Sequence, residues 1–98
     1  MDCLFCKIQK PDFEKEIVYE NDFFYATRDS YPVTKFHTLI IPKRHIQSYF
    51  EMNINEIQSI NQILNFQRNE IIELDSSVTA FNIGINDGKD AGQSIYHL

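Results

Sequence analysis

From Glu16 to Thr27 the chain reads EIVYENDFFYAT, with β-branched and aromatic residues on both sides of Asn21-Asp22, a pair that favours turns. That pattern predicts a hairpin of two short strands. A loop punctuated by Asp29 and Pro32 follows, and FHTLIIPK, Phe36 to Lys43, reads as a third strand closed by Pro42. Its apolar stretch is nearly continuous, which predicts burial on both faces. A period of two places His37, Leu39 and Ile41 on one face, opposite Phe36, Thr38 and Ile40.

The hydrophobic period then lengthens. Ile57, Ile60, Leu64, Ile71 and Leu74 recur at three- and four-residue steps or their sums, which predicts a helix from about Ile54 to Leu74 with one apolar packing stripe. Asn53, followed by Glu56, has the spacing of an N-cap and its reciprocal partner. Alternation returns in SVTAFNIGIN, Ser77 to Asn86, where Phe81, Ile83 and Ile85 suggest another strand. A flexible DGKDAG turn leads into QSIYHL, a last strand-like run. Strands, one long helix and further strands predict an α+β fold with a mainly antiparallel sheet.

Ninety-eight residues, 43% of them hydrophobic, make a single domain spanning residues 1–98. No apolar run approaches the ~20 residues that cross a bilayer. The N-terminal MDCLFCKIQK lacks the cationic start of a signal peptide, so a cytoplasmic location is expected. The net charge of −5 argues against a broad nucleic-acid surface, which needs clustered Lys and Arg. Lys35, Lys43 and Arg44 form a local exception, able either to favour one small anion or simply to end a strand in solvent.

The chain has two cysteines, in Cys3-Leu4-Phe5-Cys6, and three histidines, His37, His45 and His97. A CxxC is redox-active or half of a metal site, and the redox motif belongs between a strand and a helix rather than ahead of a hairpin. Two cysteines and two histidines would complete a tetrahedral zinc set; buried, inert cysteines are the alternative. His37 lies inside an apolar strand, where a hydrogen-bonded core role is common. His45 follows the strand's end, where loop residues can reach a metal or ligand.

FHTLIIPKRHI ahead of a helix, followed by NDGKDAGQSIYH, resembles the histidine-triad (HIT) family of nucleotide hydrolases and nucleotidyl transferases, and the resemblance runs from Cys3 to the last residue. It implies a HIT-like α+β fold and binding of a purine nucleotide such as AMP. It also implies hydrolysis of nucleoside phosphoramidates, adenylylated compounds or dinucleoside polyphosphates through a nucleotidyl-histidine. The family signature is His-φ-His-φ-His-φ-φ, with φ apolar, and alternation puts the three imidazoles on one strand face. The chain supplies His97 and Leu98 of it. The nucleophile falls by count at position 99 and the third histidine at 101. The expectation is therefore a domain with its final strand truncated after the first triad histidine, inactive as written. The alternative is a non-catalytic nucleotide- or zinc-binding module.

Carried over residue by residue, the resemblance makes Asp29 the ribose-hydroxyl binder, although a loop Asp can also simply form a turn. It makes Asn86, Gly92, Gln93 and Ser94 the nucleotide contacts, His97 the opening triad member and His37 its support. Tyr19, Phe23 and Leu39 are candidates for a base pocket, or ordinary core. In zinc-binding bacterial proteins of the family the corresponding ligands are Cys3, Cys6, His45 and His97, so Zn2+ is the implied cofactor. A homodimer formed through the helix and adjoining strand is implied in the same way.

Overall fold

The hairpin turn is built by one side chain. Asn21 Oδ1 accepts hydrogen bonds from the backbone N–H groups of Phe23 and Phe24, both at 2.9 Å, while Asn21 N–H donates to the Phe24 carbonyl. An Asx side chain thus takes the place of backbone partners across the bend. The computed structural model describes residues 17–29 and 35–93. On either side of the turn run β1 (Tyr19–Glu20) and β2 (Phe24–Arg28), and β3 (Thr38–Pro42) pairs on the other edge of β2. The order is β1-β2-β3, antiparallel throughout, with Tyr19 opposite Ala26 and Arg28 opposite Thr38.

β2 is the central strand, and its two faces feed two apolar clusters. Phe24 and Ala26 pack with Ile63 of the helix, joined by Ile40, Ile60 and Met52. Tyr25 packs with Ile41, joined by Ile17 and Leu39 on the face away from the helix. The period of two expected for the third strand therefore holds, with Leu39 and Ile41 on one side and Ile40 on the other. The expected two-sided burial belongs to β2. In β3 only Ile41 and Pro42 are buried, because among the described residues it has a neighbouring strand on one side only.

The helix, α1 (Ile54–Leu74), starts and stops where the pattern placed it. Asn53 caps it through a reciprocal pair of bonds: Glu56 N–H donates to Asn53 Oδ1 at 2.9 Å, and Asn53 N–H donates to Glu56 Oε1 at 3.0 Å. The buried face differs from the apolar stripe, however. Glu56, Ser59, Ile63, Gln67 and Ile71 are buried, whereas Ile57 remains 39% exposed and Leu74 61% exposed. The polar members of that face each have a partner, although the Gln67 amide nitrogen has none among the described residues. Ser59 Oγ accepts from Asn21 at 2.8 Å, Gln67 Oε1 accepts from Arg28 at 2.8 Å, and Glu56 receives Arg44 at 2.8 Å. Buried polar groups with partners escape the desolvation cost that hydropathy assigns to them, so hydropathy alone misplaces this face.

Glu56 is 2% exposed, and the hydrogen bond from Arg44 holds its carboxyl below the usual value of 4.5, aided by the Asn53 N–H and opposed by burial. A carboxyl lowered on folding stabilises the protein fully above about pH 4.5, and that stability is lost as the pH falls below this value. Glu56→Gln should therefore melt well below wild type at pH 7, with the gap closing towards pH 3. Thermal melts across that range check this; a gap that stays constant with pH would rule it out.

SVTAFNIGIN is a correction. Among the described residues it forms no strand, and Phe81, Ile83 and Ile85 are exposed. Alternation reports only that a segment is amphipathic; a strand also needs a neighbouring edge with free N–H and C=O groups. None of β1 to β3 pairs with it. The run predicted as QSIYHL lies, from Ser94 onward, outside the described residues. Among the described residues no helix is long and apolar enough to cross a membrane.

Candidate functional site

The β2–β3 register decides what stands at the open end of this pair. One step beyond Arg28 and Thr38 come Asp29 and His37, and the Asp29 N–H donates to the His37 carbonyl at 2.8 Å. Their side chains meet as well, with Asp29 Oδ2 3.4 Å from His37 Nδ1. The contact is close enough for an ion pair when the imidazole is protonated. It is off the line a hydrogen bond requires, and the buried Nδ1 has no hydrogen-bond partner among the described residues. The residue before His37 is strained: Phe36 has φ +67°, a left-handed conformation that bulky side chains rarely adopt. Thr38 Oγ1 donates to the Phe36 carbonyl at 2.8 Å and braces that bend.

The second group sits on the loop after residue 85. Gly88 and Gly92 both have positive φ, +95° and +91°, and bracket a single 3-10 turn, Lys89–Ala91. The loop closes on itself through Gln93, whose N–H donates to the Gly88 carbonyl at 3.1 Å and whose Oε1 accepts from the Gly88 N–H at 2.7 Å. Asn86 is solvent-exposed, with its amide nitrogen 3.7 Å from where a Cβ on Gly92 would lie. A Cβ there would make only ordinary contact, so the positive φ rather than space favours glycine at 92.

His45 is exposed on the connection from β3 to α1. Its neighbour Arg44 is held by Glu56 at 2.8 Å and donates to the Glu51 carbonyl at 2.9 Å, which ties this connection to the start of the helix. Cys3, Cys6, Ser94 and His97 lie outside the described residues. Among the described residues no group of three His, Cys, Asp or Glu side chains converges as a metal site, so of the zinc set the structure places His45 alone. The chemistry of the donor set is nonetheless that of a structural zinc site, two thiolates and two imidazoles.

Other expectations resolve into packing. Tyr19 stacks on Phe66 of α1 at 4.2 Å between ring centroids, Phe23 joins the helix-side cluster, and Leu39 joins Tyr25 and Ile41. The cations do not converge on an anion: Lys43 pairs with Glu20 at 2.8 Å, Arg44 with Glu56, and Lys35 lies 3.8 Å from Asp75. The sequence pattern gave no sign of Asp87, which accepts from Ser48 Oγ and the Tyr49 N–H, both at 2.9 Å. An acidic residue between Asn86 and Gly88 looks like simple turn composition until its distant partners are seen.

A three-stranded antiparallel sheet carrying one long capped helix, with an Asp–His pair at a strand end and a glycine-bracketed polar loop, makes a small α+β domain. The HIT domain model matches residues 10–98, and the chain belongs to the HIT family. It is 32% identical over 96 residues to a HIT-like protein of Methanocaldococcus jannaschii, covering 98% of this chain and 73% of that one. An adenylylsulfatase of Arabidopsis thaliana is 32% identical over 96 residues, 98% of this chain and 48% of the plant protein. The crystal structure of a HIT family protein from Bacillus anthracis superposes with a TM-score of 0.88 at 34% identity, covering 98% of this chain and 67% of that one. A zinc-bound histidine-triad protein from Mycobacterium smegmatis gives 0.86 at 30% identity, covering 97% and 68%.

Proposed function

We propose that this single HIT domain binds a purine nucleotide such as AMP. Asp29 takes the ribose hydroxyls, and Asn86, Gly92, Gln93 and Ser94 take the phosphate side. The observation that carries this reading is the register that sets Asp29 against His37 at one strand end. A carboxylate there can accept from both ribose hydroxyls, and an imidazole beside it can support a histidine on the next strand. The adenylylsulfatase activity of the plant relative favours an adenylyl group as the part recognised.

The reaction that fits is nucleotidyl transfer to a histidine, for which the full triad is required; this chain carries its first member, His97. The nucleophilic imidazole nitrogen attacks the α-phosphorus, and the bond from phosphorus to the amine, sulfate or phosphate leaving group breaks. The leaving group takes up a proton where its basicity demands one. Water then attacks the phosphorus of the nucleotidyl-histidine, the P–N bond breaks, and the nucleoside monophosphate leaves with the imidazole restored. Substrates of this kind are nucleoside phosphoramidates, adenylylated compounds and dinucleoside polyphosphates. Calorimetric titration with AMP tests the binding reading, with saturable one-to-one binding expected. No heat of binding up to millimolar AMP would refute it.

Cys3, Cys6, His45 and His97 would hold a structural zinc ion, a reading supported by the donor chemistry and by the zinc-bound mycobacterial relative. Bound there, the ion would tie the N-terminus to the last strand and supply folding energy rather than reactivity. A strong chelator should then lower the melting temperature of wild type by several degrees and leave Cys3→Ser unmoved; an unchanged wild-type melt would sink the zinc assignment. A cytoplasmic homodimer completes the proposal, as membership of the family implies.

A further inference from the structure

We propose that Asp87 is a positioning residue for the nucleotide loop, acting through the segment that follows His45. This rests on the reading that Asn86, Gly92 and Gln93 contact the nucleotide. One oxygen of Asp87, Oδ2, accepts both Ser48 Oγ–H and the Tyr49 N–H at 2.9 Å. Six residues along, Gln93 donates through Nε2 to the Gln47 carbonyl at 2.7 Å. The loop is thus fastened at both ends to three consecutive residues, Gln47, Ser48 and Tyr49. Ser48 is itself fixed, because its Oγ also caps the turn Tyr49–Glu51 by accepting from Phe50 N–H at 3.2 Å.

The charge on Asp87 points the same way. A carboxylate beside a phosphate-binding loop repels its ligand, so a contact residue there would carry a neutral or basic side chain. This one is turned onto two donors from another part of the chain, 38 and 39 residues away. Bonds from neutral donors to a charged acceptor are among the stronger ones in proteins. They fix the backbone of Asp87, and through it the direction in which Asn86 points. Without them the loop must be ordered by the nucleotide itself, and that ordering cost subtracts from affinity.

AMP affinity of the whole protein, measured by calorimetry with thermal melts alongside, tests the assignment. Asp87→Ala should bind AMP roughly tenfold more weakly, about the worth of one charged hydrogen bond. Asp87→Asn, which keeps an acceptor oxygen, should recover most of that loss. Ser48→Ala should weaken binding severalfold while leaving the fold intact, and it keeps the test decisive should Asp87→Ala fail to fold. Adding Ser48→Ala to Asp87→Ala should cost nothing more, because the bond is already gone. Wild-type AMP affinity in both Asp87→Ala and Ser48→Ala overturns the positioning role. A melt lowered in these variants with affinity unchanged also overturns it, leaving Asp87 a purely structural anchor. Failure of the wild-type protein to bind AMP overturns the nucleotide reading and this inference with it.

Discussion

Phe24→Ala will lower the stability of this domain by about 4 kcal/mol, enough to leave much of it unfolded at ordinary temperatures. Phe24 is 0% exposed and sits on the central strand, against Ala26 and Ile63, with Ile40, Ile60 and Met52 around it. Alanine would leave a void that neither a paired strand nor a capped helix can collapse to fill, so the lost transfer energy and the cavity cost add. The matched control is Phe50→Ala. That ring is 85% exposed, and its loss should change stability by less than about 0.5 kcal/mol. Urea unfolding of the two variants checks both numbers, and similar midpoints would show that β2 is not the organising strand. Under partly folded conditions Phe24→Ala should also bind AMP poorly, since the register that places Asp29 beside His37 is set by this strand.

Asp29→Ala should weaken AMP binding by about 30- to 100-fold, the worth of a strong or paired set of charged hydrogen bonds to the ribose. The cost should disappear with 2′,3′-dideoxy-AMP, which offers no hydroxyls to accept from; wild type and variant should then bind alike. Calorimetry with the two ligands separates this from a turn-forming role. If Asp29 only shapes the chain after β2, the variant will melt earlier and lose both ligands equally. A variant that binds AMP as wild type does would end the ribose assignment. His37 sharpens the comparison. Its Nδ1 lies 3.4 Å from Asp29 Oδ2, so removing the carboxylate removes an acidic neighbour of that imidazole.

Elements whose signals are local were legible in the sequence. The turn at Asn21, the helix from Ile54 to Leu74 and its Asn53–Glu56 cap depend on residues within a few positions of one another, and all are found where the pattern placed them. The meeting of Asp29 with His37 was half legible: both residues stood out by resemblance, but only the pairing register brings them to one strand end. What depended on distant partners was hidden. The buried face of α1 carries Glu56, Ser59 and Gln67 because Arg44, Asn21 and Arg28 meet them, and no hydropathy pattern encodes those meetings. Ser77 to Asn86 failed for the converse reason, since its alternation is real and its strand partner is not among β1 to β3. Asp87 was invisible because its partners lie some forty positions earlier in the chain.

The polar points along the buried face of α1 also keep the helix from slipping. Apolar side chains of similar size tolerate sliding better than hydrogen-bonded ones do. A slip of one turn moves the helix about 5.4 Å along its axis. That carries Glu56 away from Arg44, Ser59 away from Asn21, and Gln67 and Glu70 away from Arg28, each now held at 2.8 Å. All of these bonds fail together in every slipped alignment. Replacing the polar points with well-fitting apolar residues can preserve stability in such settings, yet it would leave the helix several seats of nearly equal energy. The ions and amides buried under α1 therefore act as an index mark, setting where the helix is held as well as how firmly.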